Sequence, residues 1–169
     1  MKTFTPRLLL AAALAVSAIS AFAADAKSSN VSVTFHEPDK FTDVRSAFGS
    51  DTDEYYLDVL KTHLQEKAGK QLAAGQKLEI TVNDVDLAGD FIPGRDPSMD
   101  RVRVVKDIFI PRIKLSFKLI GADGKVLKEG DRMLSDMNFM SNISIVGRND
   151  PLFYDKALLS DWINKEFKS

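Results

Sequence analysis

Ile108-Phe109-Ile110-Pro111-Arg112-Ile113-Lys114-Leu115-Ser116-Phe117-Lys118-Leu119-Ile120 is the stretch whose reading decides the fold. Ile113, Leu115, Phe117 and Leu119 alternate with Arg112, Lys114, Ser116 and Lys118, which is the period-two pattern of a strand with one dry and one wet face. A sheet built from such strands needs an apolar cover on one side only. The strand is expected over 108–120, with the slip of phase at Pro111 marking a bulge or an edge. Ala122-Asp123-Gly124 then reads as a three-residue hairpin loop with glycine at the left-handed position. That register sets Leu119 opposite Leu127, but Phe117 opposite Glu129 and Leu115 opposite Asp131. The returning strand is therefore poorly patterned and is expected at an edge or bulged.

Upstream, Lys77 to Leu87 reads as another strand, with Leu78, Ile80 and Val82 on one face before the phase slips to Val85 and Leu87. One extra residue near Asn83 and Asp84, a β-bulge, produces such a slip. Before it, Ser50 and Asp53 are spaced as a capping box, Leu57, Leu60, Leu64, Ala68 and Leu72 recur at helical spacing, and Gly75 stands where a C-terminal glycine cap belongs. Val31 to Phe35 is a first strand ended by Pro38, and Asp90 to Arg101, with Pro93, Gly94 and Pro97, is a loop. Met133 to Val146 is apolar without a period and is left unassigned, core packing being favoured over a mobile binding flap. Asp150 as N-cap and Pro151 at the first helical position open a last helix whose apolar face is Leu152, Leu159, Trp162, Ile163 and Phe167. The order β-α-β-β-β-α predicts an α+β two-layer sandwich: a mostly antiparallel sheet of about four strands with two helices on one face. The helical crossover permits the first two strands to be parallel.

Residues 1–23 read as a cleavable export signal, with Lys2 and Arg7 in the basic region, Leu8 to Ile19 as the apolar core and Ala21-Phe22-Ala23 as the cleavage site. The apolar run is shorter than the roughly 18 residues of a spanning helix, so the product is expected not to span the membrane. Residues 24–30 are a flexible leader, and 31–169 are expected to form a single α+β domain. With no cysteine in the chain, disulfides, thiol nucleophiles and thiolate metal sites are excluded. Removing Lys2 and Arg7 leaves 21 basic against 24 acidic residues, a balance of about −3 that argues against nucleic acid as a partner.

Val31 to Phe35 followed by Glu37-Pro38-Asp39-Lys40-Phe41-Thr42-Asp43, then Asp84-Val85-Asp86-Leu87-Ala88-Gly89, then Pro111-Arg112-Ile113 and the Asp150-Pro151-Leu152 helix start together resemble one family. It is the exported proteobacterial family catalogued as a domain of unknown function, number thirty-sixteen. The resemblance spans nearly the whole mature chain. It implies a periplasmic address and brings no activity, cofactor or catalytic residue. At the level of element order alone, the chain is also similar to small envelope-lipoprotein domains that assist transport complexes.

Three groups of residues are candidates for function. Arg112, Lys114 and Lys118 line one face of the third strand and, with Arg101 and Arg103, suggest a basic face for an envelope protein or an anionic envelope lipid. A solvated sheet face explains the same pattern. Asp84, Asp86 and Asp90, with Arg95 and with Asp96 and Asp100 nearby, form a polar site if the two phase slips adjoin in space. They lack the spacing of a calcium loop, so no metal and no cofactor are expected. His36 and His63 are the only histidines, and no Gly-x-Ser-x-Gly elbow accompanies them. The leading reading is thus a non-catalytic envelope binding or adaptor module. A small-ligand or lipid binder with a cavity between helices and sheet comes next, and a hydrolase using Asp84 and Asp86 last.

Overall fold

The computed structural model describes residues 30–45, 52–92, 100, 102–141 and 150–167. The stretch read as an export signal, most of the expected leader, Arg95, Asp96, Arg101 and Ile143 to Val146 lie outside the described residues. Strand β1 is Val31–Phe35, helix α1 Glu54–Gly69, β2 Lys77–Asp86, β3 Asp90–Phe91, β4 Arg103–Val104, β5 Arg112–Ile120, β6 Val126–Ser135 and helix α2 Phe153–Phe167. One sheet has the order β1-β2-β5-β6, and β3 and β4 form a separate two-stranded ribbon. The sheet is antiparallel apart from the β1–β2 pair, which the α1 crossover allows to be parallel. The molecule is an α+β fold.

Both helices bury the same sheet face. Leu57, Leu60, Leu64 and Ala68 of α1 and Leu158, Leu159, Trp162, Ile163 and Phe167 of α2 pack on Val31, Val33, Leu78, Ile80, Val82, Val85, Ile113, Leu115 and Phe117. Each fully buried leucine or isoleucine contributes roughly 1.5–3 kcal/mol. Phe117, Trp162 and Phe167 stack edge to face around one point, with centroids 5.4–5.8 Å apart, tying α2 to the middle of β5.

Several boundaries differ from the sequence expectation. β5 starts at Arg112, because Pro111 has no N–H to give the ladder; upstream, Phe109 N donates to Lys106 O in a turn. Of the bulge or edge expected at Pro111, the bulge is not found among the described residues, and the ladder slips instead at the other end of β5, between Leu119 and Ile120. There Ile120 pairs with Val126 and Leu119 with Lys128, so Leu127 is the extra residue and Phe117 faces Gly130 in place of Glu129. The slip in β2 lies between Val82 and Asp84, at the site read from its pattern. α1 begins at Glu54 with Asp53 as its cap, accepting from Tyr55 N and Tyr56 N. It ends at Gly69, ahead of Leu72, where a Cβ would come within 3.4 Å of Asn30 on the approach to β1. Gly75 (φ +80°) belongs to the turn into β2, where Ala122 crowds it. Within the expected 90–101 loop, Asp90 and Phe91 pair with Val104 and Arg103. The unassigned stretch begins as the end of β6 and continues through a short 3-10 turn, Phe139–Ser141, with Phe139 buried against Tyr154. α2 begins at Phe153, two residues later than expected, although Asp150 Oδ1 does accept from Leu152 N.

Candidate functional site

Among the described residues, the second sheet face carries no helix. Its side chains stand in rows across β2, β5 and β6: Glu79, Lys118 and Glu129; then Thr81, Ser116 and Asp131; then Asp84, Lys114 and Met133; then Asp86, Arg112 and Ser135. Arg112, Lys114 and Lys118 thus share one face, and each stands beside a carboxylate. Lys114 Nζ is 2.8 Å from Asp84 Oδ2, Arg112 Nη1 3.1 Å from Asp86 Oδ2, and Lys118 Nζ 3.9 Å from Glu129 Oε2. With Lys77 added, four cations meet the five carboxylates of Glu79, Asp84, Asp86, Glu129 and Asp131. The face read as basic from one strand is charge-compensated, because the neighbouring strands supply the acids. A shallow depression of about 410 Å³ lies at its centre, lined by Glu79, Thr81, Ser116, Lys118, Glu129 and Asp131.

At the far end of β2 the charges go inward. After the excursion through residues 37–41, the chain rejoins β2: Asp43 N donates to Val85 O and Leu87 N to Asp43 O. Thr42 donates from both its N–H and its hydroxyl to Asp84. Burial raises the Asp84 carboxyl, and Lys114 with both Thr42 groups outweighs that, leaving it below the ordinary value. For Asp86 burial dominates over Arg112, and its pKa is raised. The two carboxylates are therefore held apart in acidity, yet each is committed to a cation on β5.

Arg103 was expected on the basic face. It lies instead at 11% side-chain exposure inside this corner, donating from Nη1 to Asp43 Oδ2 (2.9 Å) and Gly89 O (2.8 Å) and from Nη2 to Arg45 O (3.0 Å). Its guanidinium lies 4.7 Å from the centre of the Phe91 ring. The planar fork suits three acceptors at once, which an ammonium could not reach. Burial pushes Asp43 up, and Arg103 with Arg45 brings it below the ordinary carboxylate value. Asp90 stands 3.6 Å from Arg45 Nη2. Gly89 (φ +83°) lets the backbones meet here, since a Cβ would sit 2.9 Å from Val104 O. Arg103 thereby pins the β3–β4 ribbon to the connection between β1 and α1.

Asp155, in the first turn of α2, is fully buried; Oδ1 accepts from Ala88 N at 3.0 Å and Oδ2 has no hydrogen-bond partner among the described residues. Burial raises its pKa to about 6, with the Ala88 N–H, its own N–H and Arg103 pulling it down and Asp86 pushing it up. His63 joins the helices: its Nε2 lies 3.0 Å from Lys156 O and 2.8 Å from Ser160 Oγ. A carbonyl only accepts, so Nε2 carries the proton and cannot take one from Ser160. This contact is a clip, with no base in it. Burial lowers the His63 pKa. Glu166 accepts both arms of Arg132 at 2.8 Å and stands 2.7 Å from Lys128 Nζ; the Arg132 bonds, against burial and helped by Lys128, lower it to about 2.

Sequence reasoning missed Asp43, Arg45, Asp155 and Glu166. Asp155 had left a signal, since it sits in the apolar stripe between Leu152 and Leu159. Asp43 left none, because Arg103, the partner that closes over it, comes from 60 residues away. Among the described residues, no group of three or more histidine, aspartate or glutamate side chains is placed to hold a metal ion, and no helix is long and apolar enough to cross a membrane. His36 is exposed, beside Glu37 at 3.5 Å.

The fold and the face define a class: a two-layer α+β domain with one side of its sheet left to solvent. Residues 29–165 match the family described as protein of unknown function (DUF3016), and the chain belongs to that family. No curated protein matches the sequence. Among solved structures, a minor lipoprotein from Acinetobacter baumannii is 10% identical with a TM-score of 0.27, over 81% of this chain and 88% of that one. A likeness that slight bears on neither fold nor role.

Proposed function

We propose that this DUF3016 protein is a non-catalytic binding module of the cell envelope, exported to the periplasm by residues 1–23, whose domain from residue 31 engages another envelope protein through the helix-free sheet face. The observation that carries the reading is the row structure of that face, where Asp84–Lys114 and Asp86–Arg112 ion pairs at 2.8 and 3.1 Å fix a patterned polar surface in advance of binding. The groups that chemistry would recruit are committed elsewhere: Asp84 and Asp86 to cations, the His63 Nε2 proton to a carbonyl. A face with more carboxylates than cations favours a protein partner over an anionic lipid.

Site-specific photo-cross-linking in the periplasm tests this reading. A photoreactive residue at Ser116, on the open face, is expected to give discrete protein adducts, and one at Asp58, on the exposed side of α1, is not. Equal adducts from both positions, or adducts from Asp58 alone, would end the proposal. Flotation with phosphatidylglycerol vesicles should leave the protein at the bottom of the gradient.

A further inference from the structure

The sheet has two edges. At β1, the Gln65 side chain already donates to Val31 O at 3.3 Å. At β6, ten residues long, no described strand pairs with the outer side. An open edge of that length is a hazard unless it is managed.

The charges of β6 manage one hazard only. Lys128-Glu129-Gly130-Asp131-Arg132 is a charge palindrome about Gly130. Two copies of β6 pairing antiparallel about that glycine would set Glu129 against Asp131 on one face and Lys128 against Arg132 on the other. A shift by two residues brings Asp131 against itself, or Glu129 against itself. Like charges directly opposite are destabilising, so the edge rejects a second copy of this chain.

The same pattern accepts a different strand. Lys128 and Arg132 face the helix side and are held by Glu166, Arg132 also donating from Nη1 to Asp131 O of its own strand. What remains on the open face is Val126, Glu129, Asp131 and Met133, apolar–acidic–acidic–apolar, with Val126 48% and Met133 68% exposed. Glu129 makes one long ion pair, to Lys118 at 3.9 Å, and Lys118 also stands opposite Glu79; among the described residues the Asp131 carboxylate makes no ion pair, feeling only the charge of Arg132 beside it. We propose that β6 is a docking strand for an extended segment of a partner protein whose alternate side chains run apolar, basic, basic, apolar. Backbone bonds to the free edge would provide the affinity and the acids the selection. Because the pattern reads the same in both directions, charge alone does not choose between parallel and antiparallel addition.

This rests on the reading of the open face as a binding surface. The probe is a synthetic nine-residue peptide alternating threonine with leucine, lysine, lysine and leucine, set against the same peptide with glutamate for lysine. Amide hydrogen exchange by NMR on the ¹⁵N-labelled protein should show protection along β6 with the lysine peptide and none with the glutamate peptide. Replacing Glu129→Lys together with Asp131→Lys should weaken the lysine peptide at least about tenfold at low salt and admit the glutamate peptide. Both positions are exposed, so the reversed protein should keep its native spectrum elsewhere. Lysine-peptide binding that survives the reversal, or no protection of β6, overturns the proposal. Protection at Thr81 and Ser116 but not on β6 overturns the docking strand alone and leaves the binding module standing.

Discussion

Asp155→Asn separates a titrating buried carboxyl from everything else in the fold. The folded pKa, about 6, lies above the ordinary 3.8, so between those values the folded protein holds a proton that the unfolded chain releases. The stabilisation is therefore fully present below 3.8 and is lost as pH rises through about 6. At about 1.4 kcal/mol per pH unit, the whole gap is worth about 3 kcal/mol, and one unit below the folded value, at pH 5, it is worth about 1.4 kcal/mol relative to pH 8. Asparagine keeps an acceptor for Ala88 N but puts an amide in place of the unpartnered Oδ2, a cost of roughly 1–3 kcal/mol that does not change with pH. The readout is accordingly a slope. Urea titrations followed by Trp162 fluorescence at pH 5, 6, 7 and 8 should show the variant gaining about 1.4 kcal/mol on the parent across that range. At a slope near 2 kcal/mol per molar urea, this is about 0.7 M in midpoint. Parallel pH curves for the two proteins would refute the reasoning, and would mean that the corner solvates or pairs the ionised carboxylate.

Removing Arg103 leaves Asp43, which is 6% exposed, with Arg45 as its one cation and Oδ2 unpaired, and frees the β3–β4 ribbon; Arg103→Ala should cost about 3 kcal/mol in urea, and Arg103→Lys should recover little of it. A lysine variant as stable as the parent would show that charge alone suffices there. His63 titrates in the opposite sense to Asp155: its folded pKa is lowered, so its contribution is present above the ordinary 6.5 and is lost as pH falls below it. In an Asp155→Asn background, where the opposing term is gone, stability should fall on acidification below pH 6.5, and adding His63→Gln should flatten that fall; an unaltered curve would place His63 in solvent.

How much of this was legible beforehand depends on how far each interaction reaches along the chain. The alternation of Arg112 to Leu119 and the period of Leu57 to Ala68 are local, and they delivered the sheet face, α1 and the two-layer architecture. Helix ends were misjudged, by a turn for α1 and by two residues at the start of α2, since acidic residues near a terminus compete for the cap. The charge on the open face was misjudged for a different reason. A single strand shows every second cation, but the acids that neutralise them arrive from β2, about 30 residues earlier, and from β6 after a bulge. Arg103 and Asp43 meet only once the sheet, the ribbon and the β1–α1 connection are all in place.

The two bulges explain why this sheet can carry so much charge at all. Without the extra residue at Asn83, β2 would continue in the phase of Leu78, Ile80 and Val82 and turn Asp84 and Asp86 into the core; with it, Val85 and Leu87 face inward and the aspartates meet Lys114 and Arg112 on the open side. Without the extra residue at Leu127, Glu129 and Asp131 would stand opposite Phe117 and Leu115 under α2. A carboxylate on a short stem cannot reach water from there. The slip sends the acids to the open face and brings Lys128 and Arg132 under the helix, where long stems carry the charge out to Glu166 and the Arg132 guanidinium lies 5.0 Å from the Phe117 ring centre. The bulge that rescues the core is thus also what lines the free edge with acids, so the docking strand and the stability of β6 share one cause. Deleting Leu127 should destroy both together, whereas reversing Glu129 and Asp131 should remove the docking alone.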